Sequence, residues 1–169
     1  MITIFNTGGT FNKTYDELLG TLVVQNDNKI IKTIFKESFK SNCLPNIKGL
    51  IFKDSLEITK KDRQYLLRKI KKCSSKSIII VHGTDTMDIT AKYLAKKVKN
   101  KNIVFVGSMV PYSINPIEAT TSLMIAYGFL QSKFKIKDNN NIYISMNGLI
   151  KNYNKISKNK TIGVFECQK

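Results

Sequence analysis

Short apolar runs alternate along the chain with segments whose apolar residues recur every three or four positions. The runs at 2–6, 47–52, 78–81, 103–106 and 142–146 are typical of strands, several of them buried on both faces. Helical spacing follows at 29–39, 59–73, 86–98 and 116–130. This alternation predicts an α/β fold with three layers, in which a mostly parallel sheet carries helices on both faces. The length of 169 residues predicts a single domain over 1–169.

The remaining segments are polar and rich in turn-forming residues. Residues 11–20 are expected to form an exposed, mobile loop, with which a short β segment at 21–24 can pair as a hairpin. Residues 138–141 and 151–160 are predicted to be surface loops. A last short β pattern lies at 162–165.

The stretch 77–87 joins a buried strand to a cluster of small polar side chains. After the aliphatic run come His82 and Gly83, and then Thr84, Asp85 and Thr86. Ligands of open α/β sheets bind beyond the carboxyl ends of the strands, so two hydroxyls and a carboxylate here predict a binding or catalytic site. The alternative is an N-terminal cap for the next helix, for which Thr and Asp are also suited.

Small polar residues follow the other predicted strands as well. They are Thr7, Gly8, Gly9 and Thr10 after the first, Asp54 and Ser55 after the second, Gly107 and Ser108 after the fourth, and Asn147 after the fifth. In a parallel sheet these residues share one edge, which is rich in hydroxyls and poor in His, Cys and Glu. That composition argues against a transition-metal site. It favours a small polar metabolite as ligand, or acyl chemistry by a threonine nucleophile with a lysine or tyrosine as base.

No cofactor is predicted. Segment 8–11 lacks the third glycine of the dinucleotide fingerprint, and no Gly-Lys-Thr or Gly-Lys-Ser phosphate loop is present. The cysteines, Cys43, Cys73 and Cys167, are far apart, which predicts reduced thiols rather than a disulfide framework or a metal site.

The charge of the chain is strongly positive, at +16, but only Arg63 and Arg68 of its 28 basic residues are arginines. Nucleic-acid readers ordinarily use arginine for bidentate contacts, so nucleic-acid binding is a minor hypothesis beside non-specific attraction of anions. No apolar run has the length of a membrane helix, and the N-terminus is typical of a strand rather than a signal peptide. We therefore expect a cytoplasmic protein without membrane contact.

Two motifs resemble the signatures of bacterial-type L-asparaginases. They are Thr7-Gly-Gly-Thr10 after the first strand and His82-Gly-Thr-Asp-Thr-Met87 after the third. Gly107-Ser-Met-Val-Pro111 resembles the family's following strand-end motif, and the segment from Met146 to Lys158 resembles the one that carries its catalytic lysine. The resemblance covers nearly the whole chain. It implies the fold of the family's N-terminal domain and hydrolysis of a small carboxamide, such as L-asparagine, to the acid and ammonia.

The resemblance also implies a role for each matching residue. Thr10 is implied as the nucleophile, and Tyr15 as the tyrosine that closes over the substrate and helps activate it. Thr84, Lys158 and Asp85 are implied as a second triad, in which Asp85 also receives the substrate's α-ammonium. The implied substrate-binding positions are Gly9, Ser55, Gly83, Thr84, Asp85 and Ser108, with Ser55 and the nearby backbone amides on the α-carboxylate. Thr86 is left as a helix cap and His82 as a structural histidine.

The chain departs from the family pattern in its recognition residues. Leu56 stands where the family has a substrate-contacting Gln, Val110 replaces an arginine, and Glu118 and Ser122 stand in place of an Asp and an Asn. The family's C-terminal domain, which completes a neighbour's site, has no counterpart in this sequence. The second hypothesis is therefore a catalytically weak or inactive domain that binds an amino acid or a similar metabolite. We also expect a homodimer or higher homo-oligomer, since surfaces left bare by the missing domain are usually covered by symmetric association.

Overall fold

The computed structural model describes residues 1–39, 44–132 and 141–168, which form ten strands and four α-helices. The strands are β1 (Ile2–Gly8), β2 (Lys13–Asp16), β3 (Thr21–Val24), β4 (Asn46–Lys53), β5 (Ser77–Val81), β6 (Asn102–Val106), β7 (Ile142–Met146), β8 (Leu149–Asn152), β9 (Ile156–Asn159) and β10 (Val164–Cys167). The helices are α1 (Lys29–Ser38), α2 (Lys60–Lys72), α3 (Met87–Ala95) and α4 (Pro116–Gln131).

The central sheet has six strands in the order β4-β1-β5-β6-β7-β8. The first five are parallel, and only β8 runs antiparallel, to β7. The predicted mostly parallel sheet is therefore confirmed. Two separate two-stranded sheets, β2-β3 and β9-β10, flank it as antiparallel hairpins.

Alternate residues of the central strands point into two different cores. Ile79 and Val81 pack on one face of the sheet with residues of α1 and α4, whereas Ile78 and Ile80 pack on the other face with residues of α2 and α3. All four side chains are fully buried. An uninterrupted aliphatic run is what a strand covered on both faces requires, so the predicted three-layer arrangement follows from the sequence pattern.

Two helices begin with residues that are typical of helix starts, and a third begins directly after Thr86. Thr59 and Asp62 form a capping box at α2, and Pro116 occupies the first turn of α4. Thr86 occupies the N-cap position of α3, as predicted, but its side chain does not cap the helix. Its hydroxyl donates to the Ser55 carbonyl at 2.7 Å and accepts no hydrogen bond from a backbone NH of the helix.

Two predicted loops contain strands. Part of the polar stretch 11–20 forms β2, which pairs with β3, so the hairpin anticipated for 21–24 is confirmed and the loop is shorter than expected. The predicted surface loop at 151–160 holds the end of β8 and all of β9. In both cases the segment is a strand because it pairs with a neighbouring strand, which its polar composition does not predict. Of the predicted loop at 138–141, only residue 141 lies within the described ranges.

Candidate active site

Three parallel strands turn directly into short 3-10 turns at their carboxyl ends. The turns are Thr10–Asn12 after β1, Ser55–Glu57 after β4 and Thr84–Thr86 after β5. The last two are linked by hydrogen bonds, because the backbone NH of Asp85 donates to Ser55 Oγ at 3.2 Å and Thr86 bonds the Ser55 carbonyl. The predicted edge of polar side chains therefore exists at these strand ends.

Glycines allow the turns to touch. Gly9 has φ +82°, and a Cβ atom there would overlap the backbone of Gly83. A Cβ atom on Gly83 would in turn lie 2.6 Å from the Cβ of Ser55. Two glycines thus permit a backbone approach that any other residue would prevent. The residues predicted at 9, 55 and 83 form one continuous contact between β1, β4 and β5.

Lys158 joins two residues of the third turn. Its Nζ atom lies 3.0 Å from Thr84 Oγ1 and 2.7 Å from Asp85 Oδ1. The Lys158 side chain is 13% exposed and that of Asp85 39%, so the pair is shielded on one side and open on the other. Thr84 is buried. The three residues implied as a second triad are in direct contact.

The C-terminal hairpin brings Lys158 to this position. Ile156 of β9 and Phe165 of β10 are buried in the core on the α2–α3 side of the sheet. The backbone NH of Phe165 also donates to Asn147 Oδ1 at 2.8 Å, just beyond the end of β7. Asn147, identified in the sequence as a strand-end residue, therefore holds the hairpin that carries the lysine.

Thr10 and Tyr15 lie on the first strand end and its hairpin. Thr10 opens the 3-10 turn next to Gly9 and is half-buried. Tyr15 is in β2, opposite Leu22 of β3, and is 63% exposed. Within the described ranges neither side chain makes a hydrogen bond. Thr10 thus lies beside the turn contact, whereas Tyr15 presents its ring to solvent.

Ser108 follows β6 and is fully enclosed. It is 1% exposed, and its hydroxyl has no partner among the described residues. The next two backbone NH groups, of Met109 and Val110, donate to the Glu118 carboxylate at 3.0 and 3.2 Å. Glu118 therefore holds the loop after Ser108 in place. Its position in the family pattern did not predict this contact.

His82 is held in a buried polar network beneath the third turn. Arg63 Nε donates to Thr90 Oγ1 at 3.0 Å, which directs the Thr90 hydroxyl hydrogen to His82 Nε2, also at 3.0 Å. The proton of His82 is then on Nδ1, which donates to the Gly83 carbonyl at 2.8 Å. Burial lowers the pKa of His82 to about 4, so the imidazole is neutral at pH 7. The histidine fixes the Gly83 peptide.

Other candidate chemistries have little support in the described part of the chain. No group of three or more His, Cys, Asp or Glu residues there is arranged to hold a metal ion. Cys73 and Cys167 are free thiols, whereas Cys43 lies outside the described residues. None of the described helices combines the length and apolarity needed to cross a membrane.

The fold and this site define a class: a three-layer α/β protein whose polar site lies at the carboxyl edge of a parallel sheet. The chain belongs to the family described as "Asparaginase, N-terminal", whose model matches residues 1–166. It is 30% identical over 138 residues to the glutaminase-asparaginase of Acinetobacter glutaminasificans, an alignment that covers 78% of this chain and 42% of that protein.

Solved structures show the same fold. The thermostable L-asparaginase from Thermococcus kodakarensis matches with a TM-score of 0.81 and 23% identity over 98% of this chain and 50% of its own. A probable cytoplasmic L-asparaginase from Campylobacter jejuni matches with a TM-score of 0.79 and 23% identity over 98% of this chain and 52% of its own. The chain thus spans about half the length of these relatives.

Proposed function

We propose that this protein is an asparaginase-like amidohydrolase, which uses Thr10 to hydrolyse a small carboxamide such as L-asparagine to the acid and ammonia. The observation that carries the proposal is the contact of Lys158 with both Thr84 and Asp85. Lys158 is far from Thr84 and Asp85 in the sequence, and a lysine in contact with a hydroxyl and a carboxylate is suited to proton transfer. Membership of the asparaginase family supports the reaction class.

The reaction divides into two steps. In the first, Thr10 Oγ attacks the carboxamide carbon, the carbon–nitrogen bond breaks, and the nitrogen leaves as ammonia after taking up the proton that Thr10 gives up. Tyr15 assists this step from the hairpin. In the second, water attacks the carbonyl carbon of the resulting ester and passes a proton through Thr84 to Lys158 Nζ; the bond from that carbon to Thr10 Oγ then breaks, Thr10 takes a proton back, and the acid is released. The Asp85 carboxylate, 2.7 Å away, stabilises the ammonium that forms.

Substrate recognition uses the surrounding turns. Asp85 receives the α-ammonium of an amino-acid substrate with its second carboxylate oxygen. Ser55 accepts a hydrogen bond from a backbone NH, so its own hydroxyl hydrogen is available for the α-carboxylate, beside the backbone at Gly9 and Gly83. The unpartnered hydroxyl of Ser108 is a further donor at the same edge. An unsatisfied buried hydroxyl costs about 1–3 kcal/mol, which a ligand contact would offset.

Ammonia release from asparagine, glutamine and related primary amides tests the proposal. We expect turnover by the wild type and none above background in Thr10→Ala. Thr121→Ala is the matched control, since Thr121 is an exposed residue of α4 away from the site, and it should retain full activity. Activity that persists in Thr10→Ala would overturn Thr10 as the nucleophile.

A second candidate is a binding domain of the same fold with weak or lost catalysis. Leu56 favours it, because this apolar side chain is 74% exposed next to Ser55 and cannot hydrogen-bond a polar substrate. A thermal-shift screen with aspartate, asparagine, glutamate and glutamine separates the two candidates. Shifts without ammonia release favour the binder, whereas turnover favours the enzyme.

Self-association is part of the proposal. Ile114, just before α4, and Ile117, in its first turn, are 63% and 70% exposed, and Leu18 at the tip of the β2–β3 hairpin is 98% exposed. Exposed apolar side chains of this size are typical of contact surfaces. Light scattering at micromolar concentration should give the mass of a dimer or larger oligomer; the mass of a monomer would contradict this.

A further inference from the structure

We propose that the ion pair between Lys13 and Asp54 is a latch that positions the β2–β3 hairpin, and with it Tyr15, for the reaction. The inference rests on the proposed function and adds two positioning residues to it. Lys13 Nζ lies 2.6 Å from Asp54 Oδ2, and the two side chains are only 22% and 28% exposed. This is a short, largely shielded ion pair between the hairpin and the end of β4.

Asp54 connects the latch to the substrate-binding turn. It is the N-cap of the turn Ser55–Glu57, where its other carboxylate oxygen accepts from the Leu56 NH at 3.1 Å. One carboxylate therefore holds both the turn that contains Ser55 and the hairpin that contains Tyr15. Burial raises the pKa of Asp54, but hydrogen bonds from Lys13 and the backbone amides outweigh it and leave the pKa below the ordinary value. The carboxylate is ionised at neutral pH.

Lys13 is also the point where β2 meets the rest of the protein. Ser113 Oγ donates to the Lys13 carbonyl at 2.9 Å, so both the backbone and the side chain of Lys13 are anchored. The hairpin is not part of the central sheet, and its tip is exposed. Residues 13 and 15 lie on the same face of β2, because side chains of a strand alternate. The direction of Tyr15 is therefore set through Lys13.

The chain contains a matched control pair. Lys53 and Asp62 form a second half-buried ion pair, at 3.0 Å, which joins the end of β4 to the start of α2; among the described residues neither side chain makes a hydrogen bond or ion pair to the hairpin. Asp54 and Asp62 both belong to capping boxes. Loss of either charge therefore has comparable structural consequences, and only loss of the first should release the hairpin.

The experiment combines kinetics with a fluorescent reporter. The chain has no tryptophan, so Leu22→Trp, opposite Tyr15, supplies a single probe of hairpin motion by time-resolved anisotropy. Lys13→Met and Asp54→Asn are compared with Lys53→Met and Asp62→Asn, each with and without the probe. Asparagine at position 54 can still cap the turn.

We expect Lys13→Met and Asp54→Asn to increase local probe motion and to lower kcat for ammonia release at least tenfold, with a smaller change in KM. The control variants should move neither quantity, and Lys13→Arg, which keeps the ion pair, should restore both. Unchanged probe motion, or an equal loss of kcat in the control variants, would overturn the latch. If the wild type releases no ammonia, the proposed function fails, and probe motion alone decides whether the latch holds the hairpin.

Discussion

Acidification should destabilise this protein through His82, at pH values above those at which Asp54 and Asp62 become protonated. The imidazole is buried with a pKa of about 4, compared with an ordinary value of 6.5 in the unfolded chain. Between these values the unfolded state binds a proton that the folded state does not. The contribution of His82 to stability is therefore constant above about pH 6.5 and falls as the pH decreases towards 4.

The size of the effect follows from the difference between the two pKa values. Each pKa unit is worth about 1.4 kcal/mol, so the full effect approaches about 3 kcal/mol, a large part of a typical domain's stability. Asp54 and Asp62, whose pKa values lie below the ordinary 3.8, act in a lower window. Their contribution is present above 3.8 and is lost only as the pH falls through their folded values. Between pH 4.5 and 6.5 the change in stability from His82 is thus separate from the contributions of Asp54 and Asp62.

Urea unfolding at several pH values measures this dependence. The matched variant is His82→Asn, whose amide can donate to the Gly83 carbonyl in place of Nδ1 but cannot titrate. We expect the wild type to lose about 2–3 kcal/mol between pH 7 and 4.5 and the variant, although less stable at pH 7, to lose much less. A slope that is the same in both proteins would show that His82 is not the group responsible.

Three further predictions concern the strand ends. Gly9→Ala should lower the free energy of unfolding by about 1–3 kcal/mol more than Gly20→Ala. Both glycines have positive φ, but only at Gly9 would a Cβ atom overlap a neighbouring backbone. Urea unfolding of the two variants measures the difference. Lys158→Met should reduce ammonia release by about 10²- to 10⁴-fold, since Thr84 loses its proton-transfer partner, and initial rates measure it. Glu118→Ala should cost about 1 kcal/mol in thermal unfolding, because two backbone NH groups lose their acceptor, whereas Glu118→Gln should cost less.

The sheet could be predicted from the sequence because its strands are covered on both faces. That environment selects uninterrupted aliphatic runs, of which 78–81 is the clearest. The hairpins were harder to predict, since β2 and β9 are short, polar and partly exposed. Their order comes from pairing with β3 and β10, which a local pattern does not encode.

Some of the site residues could likewise be predicted from the local sequence pattern, and others could not. Thr84 and Asp85 were predicted from the pattern because they directly follow a buried strand. Lys158 is one lysine among many, and its contact with Asp85 spans 73 positions, so only the family resemblance pointed to it. No local signal revealed the Lys13–Asp54 pair.

Glu118 shows how a local signal can be used differently in the structure. It stands three residues after Asn115, a spacing typical of a capping box. Asn115 does cap α4, through the Ile117 NH, but Glu118 turns away to the Met109 and Val110 amides. The tertiary contact replaces the local one, because the loop after β6 offers two NH groups to the same carboxylate.

The location of the acyl group during turnover tests the proposed mechanism most directly, since Thr10 and Thr84 both lie at the strand ends. Acid quench during turnover, followed by peptide mass spectrometry, identifies the residue that carries the substrate's acyl group. The proposed mechanism predicts an ester on the peptide that contains Thr10, at higher occupancy in Lys158→Met if hydrolysis is slowed more than attack, and absent from Thr10→Ala. Ammonia release with an ester on the Thr84 peptide, or with Thr10→Ala still forming an ester, would contradict it.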